Sequence, residues 1–402
     1  MLDFDTAQQQ LAAAGAPSGR TEHCPLHQAR GRVLARDIIA SIDLPPHDNS
    51  AMDGYAIRFA DWSPDARLPV QQRCFAGMQP EPLQPGKTIR LFTGSVMPEG
   101  ADTVVMQEDC TEADGVLQIH QAPAKGAHVR YRGEDMHSGG KVLSAGTLIG
   151  PAEITVLASQ GIAEVEVHAR LRVGILTTGD ELVMPGNSLA PSQIYNSNGF
   201  MLAALAQGLG AEVSCVLHAE DTAESLDAAF RQLLAESDLV LTAGGVSVGE
   251  KDLVKPAIEA HGGTLSLWRV NMKPGKPVAL AHIGKTPVVC LPGNPVSAYS
   301  VFTLLVSPLI RNMQGRGIIY PQVQWGVFAK DIVNKDPNRI EFMRVQASLK
   351  QGQPVQLSAY AQQSSGVMSS LTWATGLARV APGASMPAGS AAPYYPLALW
   401  LA

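Results

Sequence analysis

Charge is scarce in this 402-residue chain: Asp, Glu, Lys and Arg supply 16% of it and leave a net charge of −6. A nucleic-acid binder normally carries a basic face and a high isoelectric point, so that class is excluded, and any anionic ligand must be met by a few local cations. Aromatic residues are also few, at 5%, but 46% of the chain is apolar, which excludes a disordered or fibrous protein. No apolar run approaches the roughly 20 residues that cross a bilayer, so no membrane association is expected. The start, Met1-Leu2-Asp3-Phe4-Asp5, is acidic and lacks the basic and apolar parts of a signal peptide, which points to the cytoplasm. The five cysteines (Cys24, Cys74, Cys110, Cys215 and Cys290) are scattered, with no Cys-x-x-Cys pair, as in a reduced protein without a disulfide framework. Neither a Walker A loop nor a Gly-x-Gly-x-x-Gly fingerprint occurs, and neither a dedicated zinc site nor a serine hydrolase is expected.

What the chain does have is a glycine-rich loop, Gly244-Gly245-Val246-Ser247-Val248-Gly249-Glu250-Lys251-Asp252, directly after the strand-like run Asp238 to Thr242. Backbone N–H groups of such a turn approach an anion closely, and ligands of open α/β sheets sit at the carboxyl ends of strands. The loop therefore reads as a phosphate cradle. The rest of the chain divides around it. Residues 2 to 40 carry helix-like spacing (Leu2, Ala7, Leu11), with a second helix-like run over Ala29 to Ala35. From Leu44 to about Gly140, short alternating runs such as Thr88 to Phe92 and Thr103 to Met106 alternate with Pro and Gly turns, the texture of strands. A helix is predicted over Pro151 to Ser159, with proline at its start. Between Arg172 and Arg311, strands (Val173 to Leu176, Leu239 to Leu241, Val288 to Leu291) alternate with amphipathic helices (Met201 to Leu209, Leu226 to Leu234), which implies a doubly wound, mostly parallel sheet. After Pro321 the helices are expected to disappear, and Val323 to Phe328, Phe342 to Ala347 and Val355 to Ala359 read as strands of a small barrel or sandwich. The fold class is thus multidomain α/β: an elongated linking domain (1–45 with 141–170), an inserted β-rich domain (46–140), an α/β domain (171–320) and a C-terminal β-barrel domain (321–402).

Within the α/β domain the strand ends lead into polar loops. Thr177-Thr178-Gly179-Asp180-Glu181-Leu182 follows one strand, and Asn196-Ser197-Asn198 precedes a helix, where Ser197 or Asn198 also suits a plain N-cap. Asp221 is placed to begin a helix with Glu224 three residues on, a capping arrangement. Asp252, just after the phosphate loop, suits Mg²⁺, which favours one or two carboxylates together with phosphate oxygens and water. In Arg269-Val270-Asn271-Met272-Lys273-Pro274-Gly275-Lys276-Pro277, prolines and glycine stiffen the loop, and Lys273 and Lys276 offer point charges to an oxyanion.

At these residues the chain resembles the molybdopterin molybdenumtransferases of MoeA type, related to the E domain of gephyrin. The resemblance spans the chain and rests on Asn49-Ser50-Ala51-Met52-Asp53-Gly54-Tyr55-Ala56, Thr93-Gly94 with Pro98-Glu99-Gly100-Ala101-Asp102, Arg132-Gly133-Glu134-Asp135, Thr178 to Leu182, Asn196 to Asn198, Gly244 to Asp252, Lys273 to Pro277 and Leu291-Pro292-Gly293-Asn294-Pro295-Val296-Ser297. It implies the insertion of molybdate into adenylated molybdopterin, with release of AMP and a requirement for Mg²⁺. It also implies a homodimer whose active cleft is shared between subunits, and partners among molybdopterin adenylyltransferases and molybdoenzyme-maturation proteins. By matching motif, Glu181, Asp221 and Asp252 are the acidic, metal-handling set and Lys273 and Lys276 the balancing cations. Asp180, Ser197, Gly244, Gly245, Ser247 and Gly249 join the substrate site, with Pro292 and Pro295 in its wall. Asp53, Thr93 and Asp135 come from the inserted domain, where stabilisation of turns is the competing role, and Arg344 and Ser365 come from the C-terminal domain. The chain departs from the pattern at Arg269, where the family often has lysine. Two alternatives share parts of the pattern: a molybdopterin adenylyltransferase, which lacks the flanking β-rich domains, and a dimeric scaffold of the gephyrin E type.

Overall fold

In the strand Leu239–Ala243 every residue is buried, and successive side chains enter opposite cores. Leu239 and Leu241 pack with the helix residues Leu202 and Leu205, whereas Val240 packs with Leu226, Phe230 and Leu233. A strand covered on both faces has no polar positions to alternate with, hence its continuous apolar run. The computed structural model, which describes residues 2–245 and 253–402, extends this unit into a six-stranded sheet. Its order is Glu212–Ala219, Arg172–Thr178, Leu239–Ala243, Thr286–Leu291, Ala279–Ile283, Thr264–Trp268. The first three junctions are parallel and the last two antiparallel. From the early strand Arg172–Thr178 the chain goes to one side for Glu212–Ala219 and then to the other for Leu239–Ala243, so the strand order reverses there. A crevice at the carboxyl ends is the geometric result.

The helix Phe4–Ala12, capped by Asp3 through Thr6 N at 3.0 Å, buries Phe4, Ala7 and Leu11 in this same core. The second helix expected over Ala29 to Ala35 is not formed. Leu26–Gln28 makes a single 3-10 turn, Gly31 adopts φ +76°, and Val33 and Leu34 bridge to Leu148 and Val167. The reason is tertiary: Thr21–Pro25 pairs antiparallel with Glu164–His168, and this pairing holds the following segment extended against it. The helix Pro151–Ser159 forms at the expected residues, with proline in its first turn.

Thr103–Met106, Gly54–Ile57, Thr88–Leu91, Arg67–Cys74, Val116–Ile119 and Cys110–Ala113 build a second six-stranded sheet. Burial pushes the Cys110 thiol up to about 11. No disulfide joins the five cysteines, and we expect Cys110 to react with iodoacetamide at pH 8 more than about tenfold more slowly than a cysteine peptide, because thiolate is the reactive form. Mass-spectrometric labelling at several pH values tests this, and peptide-like kinetics would refute it.

At the C-terminus, Gln324–Phe328, Ile340–Ser348, Gln356–Ala359, Gly376–Val380 and Ala391–Pro396 pair into a closed five-stranded ring. Helices do not vanish here, contrary to the sequence-based expectation: Ser369–Trp373 and Leu397–Trp400 are helical. The second returns the buried Trp400 to the main core, where it contacts Tyr395 at 5.1 Å. Tyr395 meets Phe342 at 5.6 Å and Phe342 meets Phe4 at 4.6 Å, so one aromatic chain joins the barrel to the amino-terminal helix. Phe342→Ala should therefore lower the unfolding free energy by about 3–5 kcal/mol, read by urea denaturation; a loss below about 1 kcal/mol would show that the junction carries little. Among the described residues no helix is long and apolar enough to cross a membrane.

Candidate active site

The carboxyl ends of Arg172–Thr178 and Leu239–Ala243, with the loops after Glu212–Ala219 and Thr286–Leu291, enclose a cleft of about 320 Å³ lined by Thr178, Gly179, Glu181, Leu182, Ile194, Asn198, Asp221, Gly244, Gly245, Pro277, Pro292 and Gly293. Glycine is required in its floor. Gly244 and Gly245 have φ of +98° and +65°; a Cβ on Gly244 would lie 2.8 Å from the Thr178 carbonyl oxygen, and one on Gly245 would strike Val254. Opposite, a Cβ on Gly293 would approach Gly244 Cα to 3.5 Å. A side chain thus has no room at Gly244 or Gly245, and the bare backbone of the turn borders the cleft, as the phosphate-cradle reading requires. Val246 to Asp252, and with them the candidates Ser247, Gly249 and Asp252, lie outside the described residues.

Two of the three expected acids, Glu181 and Asp221, meet in this cleft. Asp221 is not the helix cap that its spacing suggested. Thr222 takes that role, accepting from Ser225 N at 3.2 Å, while Asp221 N donates to Asp180 Oδ1 at 3.0 Å. Capping by the hydroxyl of the next residue releases the Asp221 carboxylate for the cleft. The lining also includes the Thr178 hydroxyl and the Asn198 amide. The two carboxylates form a hard oxygen pair suited to Mg²⁺, which keeps several waters and accepts few protein ligands. Among the described residues no group of three or more His, Cys, Asp or Glu side chains is placed for a metal. His23 and His27 do have His-x-x-x-His spacing, but they sit on a strand and the 3-10 turn after it, not on one helix face. Gly245, Ser247 and Gly249 share the spacing of a hydrolase elbow, yet no histidine is among the described lining residues.

None of the three loop cations is among the described lining residues, although the neighbouring Pro277 is. Lys276 is exposed. Lys273, one-third exposed, places Nζ 2.9 Å from Oε1 of Glu341, whose side chain is only 4% exposed. Glu341 arrives because Met272–Lys273 pairs parallel with Ile340–Glu341; nothing local to the Lys-Pro-Gly-Lys loop in sequence signals this partner. Arg269 is half-buried at φ +64°, and its backbone bonds to Val278 O and Leu2 N. Pro292 is buried in the wall, and Pro295 opens the helix Pro295–Val301.

Other candidates are placed elsewhere. Ser197 is exposed at the start of the helix Asn198–Gly208 without a capping bond, whereas its neighbour Asn198 faces the cleft. Asn196 Oδ1 takes the capping role by accepting from Gly199 N at 3.2 Å. Asp53 Oδ1 accepts from both Thr93 N and Thr93 Oγ1 at 2.8 Å, and these bonds hold its carboxyl below the usual range. Asp135 is exposed on a turn, its N donating to Leu44 O. None of these three lines the cleft of its own chain. Arg344 is buried in the barrel, where it donates to Ser370 Oγ, Gln362 O and Ser364 O. It secures the turn carrying the half-buried Ser365, and burial lowers its pKa.

Comparison with known proteins matches the whole architecture. Residues 2–161 match the MoeA N-terminal region (domains I and II), residues 174–312 the family described as "Probable molybdopterin binding domain", and residues 327–397 the MoeA C-terminal region (domain IV). A molybdopterin molybdenumtransferase from Haemophilus influenzae is 38% identical over 346 residues, 86% of this chain and 85% of that protein. Molybdopterin molybdenumtransferase 2 of Mycobacterium tuberculosis is 39% identical over 302 residues, 72% of this chain and 75% of that one. A crystal structure of a molybdopterin biosynthesis MoeA protein from Pyrococcus horikoshii superimposes with a TM-score of 0.84 at 26% identity, covering 98% of this chain and 100% of the other. With all three regions in order and relatives this similar over most of both lengths, the chain belongs to the MoeA-type molybdopterin molybdenumtransferase family.

Proposed function

We propose that the chain inserts molybdate into adenylated molybdopterin and releases AMP, yielding molybdenum cofactor. The observation that carries this reading is the cleft joining Glu181, Asp221 and the Gly244-Gly245 turn, in a chain whose flanking regions match the MoeA N-terminal and C-terminal regions. Those flanking regions also weigh against an adenylyltransferase built on the α/β domain alone, and the acidic lining weighs against a pure scaffold.

Both substrates are anions, so their encounter needs positive charge fixed in advance. Lys276, exposed next to the lining residue Pro277 and with no ion pair among the described residues, supplies it. Lys273 is partly neutralised by Glu341, and so it positions more than it attracts. The glycine turn offers backbone N–H groups to the pyrophosphate. Glu181 and Asp221, with Asp252, would hold Mg²⁺, which when bound supplies Lewis-acid stabilisation of the phosphate charge that develops as AMP departs. Arg269 adds a second cation with bidentate geometry on the same loop. Pro292 and Pro295 fix the wall, and Asp180, through Asp221 N, fixes the acid loop.

The same reading includes a cytoplasmic homodimer in which Asp53, Thr93 and Asp135 of one subunit complete the cleft of the other, and in which Arg344 and Ser365 are contributed by the C-terminal domain. Their position away from the cleft of their own chain supports this. The domain limits 1–45 with 141–170, 46–140, 171–320 and 321–402, and delivery of the adenylate by an adenylyltransferase partner, belong to it as well. The decisive assay supplies adenylated molybdopterin with Mg²⁺ and measures AMP release with and without molybdate. Dependence on molybdate is expected, while consumption of ATP in its absence would move the assignment to the adenylyltransferase.

A further inference from the structure

Two polar atoms in the floor of the cleft have no partner among the described residues: Thr178 Oγ1 and Asn198 Oδ1. Both side chains are deeply buried, at 5% and 8% exposure, and both line the cleft. A buried acceptor without a partner is destabilising, and it persists where a ligand completes it. The orientation of Asn198 is fixed, because its Nδ2 donates to Gly293 O at 2.7 Å. Turning the amide over would set oxygen against oxygen, so Oδ1 is the end left for a ligand, and it can only accept. The Thr178 hydroxyl lies beneath the glycine turn, within about 3 Å of where a Cβ on Gly244 or Gly245 would stand.

We propose that Thr178 and Asn198 read the amino-bearing edge of the substrate's heterocycle; this rests on adenylated molybdopterin being the substrate. An acceptor-only amide oxygen repels phosphate and molybdate oxygens, which are drawn instead to the turn N–H groups and to Lys276. What it accepts is N–H or O–H, and beside the apolar lining residues Leu182, Ile194, Pro277 and Pro292 the donors that fit are those of the two ring systems rather than the ribose hydroxyls: the pterin amino group and ring N–H, and the adenine amino group. The remaining lining suits a flat ring, since Leu182, Ile194, Pro277 and Pro292 contribute apolar surface. Thr178 and Asn198 thereby become specificity residues of the site.

The test separates binding from folding. Thr178→Val removes a hydroxyl that has no partner among the described residues, so its thermal midpoint should stay level or rise, while KM for the adenylated substrate rises about tenfold, the worth of one lost hydrogen bond, at unchanged kcat. Thr178→Ser restores the wild-type KM. Equilibrium dialysis in EDTA then compares AMP with inosine monophosphate, and 6-hydroxymethylpterin with its 2-oxo analogue lacking the amino group. Wild-type protein should prefer the amino-bearing member of one pair by about tenfold, Thr178→Val should lose the preference, and the pair that shows it identifies the ring. An unchanged KM, a fall in midpoint parallel to the loss of binding, or equal binding within both pairs would overturn the proposal. Absence of molybdate-dependent AMP release by the wild type would strike the activity assignment, while the dialysis preference still decides this one.

Discussion

Glu181→Gln should slow molybdate-dependent AMP release by about 100-fold or more while leaving the unfolding midpoint where it is. The side chain is exposed on the loop after Arg172–Thr178 yet borders the cleft. Exposed substitutions away from packed or paired groups usually change stability by no more than about 0.5 kcal/mol. Loss of a preorganised charge at a reacting phosphate is of another order, about 2.7–4 kcal/mol in the transition state. Asp221→Asn should behave alike, because Thr222 rather than Asp221 caps the following helix and the carboxylate makes no fold-supporting bond among the described residues. The double variant should fall little below the worse single one if the two acids act as a unit on one metal ion, and Mg²⁺ titration of either single variant should show a raised requirement. Activity within about threefold of wild type for both would remove the acidic pair from the chemistry.

The sequence was most legible where one short segment decides the outcome. Leu239–Ala243 and Pro151–Ser159 form close to their expected limits, since an unbroken apolar run and an initial proline each act locally. It failed at Ala29 to Ala35, where a helical pattern lost to pairing with residues more than a hundred positions away, and after Pro321, where the helix Leu397–Trp400 exists because Trp400 has a distant core to fill. The site followed the same division. The Gly244-Gly245 turn, Glu181 and Asp221 came together because they sit at the ends of neighbouring strands. In Asn196-Ser197-Asn198 the residue type pointed to the right motif but to the wrong member, since helix phase decides that Asn198 faces inward and Ser197 outward. Glu341 gave no sign at all: its link to Lys273 is a strand pairing between two domains.

That pairing alters what Lys273→Ala should do. As a loop lysine it would be expected to affect turnover alone. Its removal also leaves Glu341, 4% exposed, without its counter-charge, and a buried acceptor deprived of its partner costs about 1–3 kcal/mol. The figure stays below the 3–5 kcal/mol of a fully buried pair because Lys273 itself is one-third exposed. Lys273→Ala should therefore lose activity and stability together, while Lys276→Ala, exposed at the same loop, should lose activity at wild-type stability. Adding Glu341→Gln to Lys273→Ala separates the two effects. The amide removes the buried charge, so urea denaturation should recover most of the lost stability, but AMP release should stay low because the cation is still missing. Recovery of activity along with stability would mean that Lys273 serves only to neutralise Glu341, and the electrostatic work at the cleft would then fall to Lys276 and Arg269.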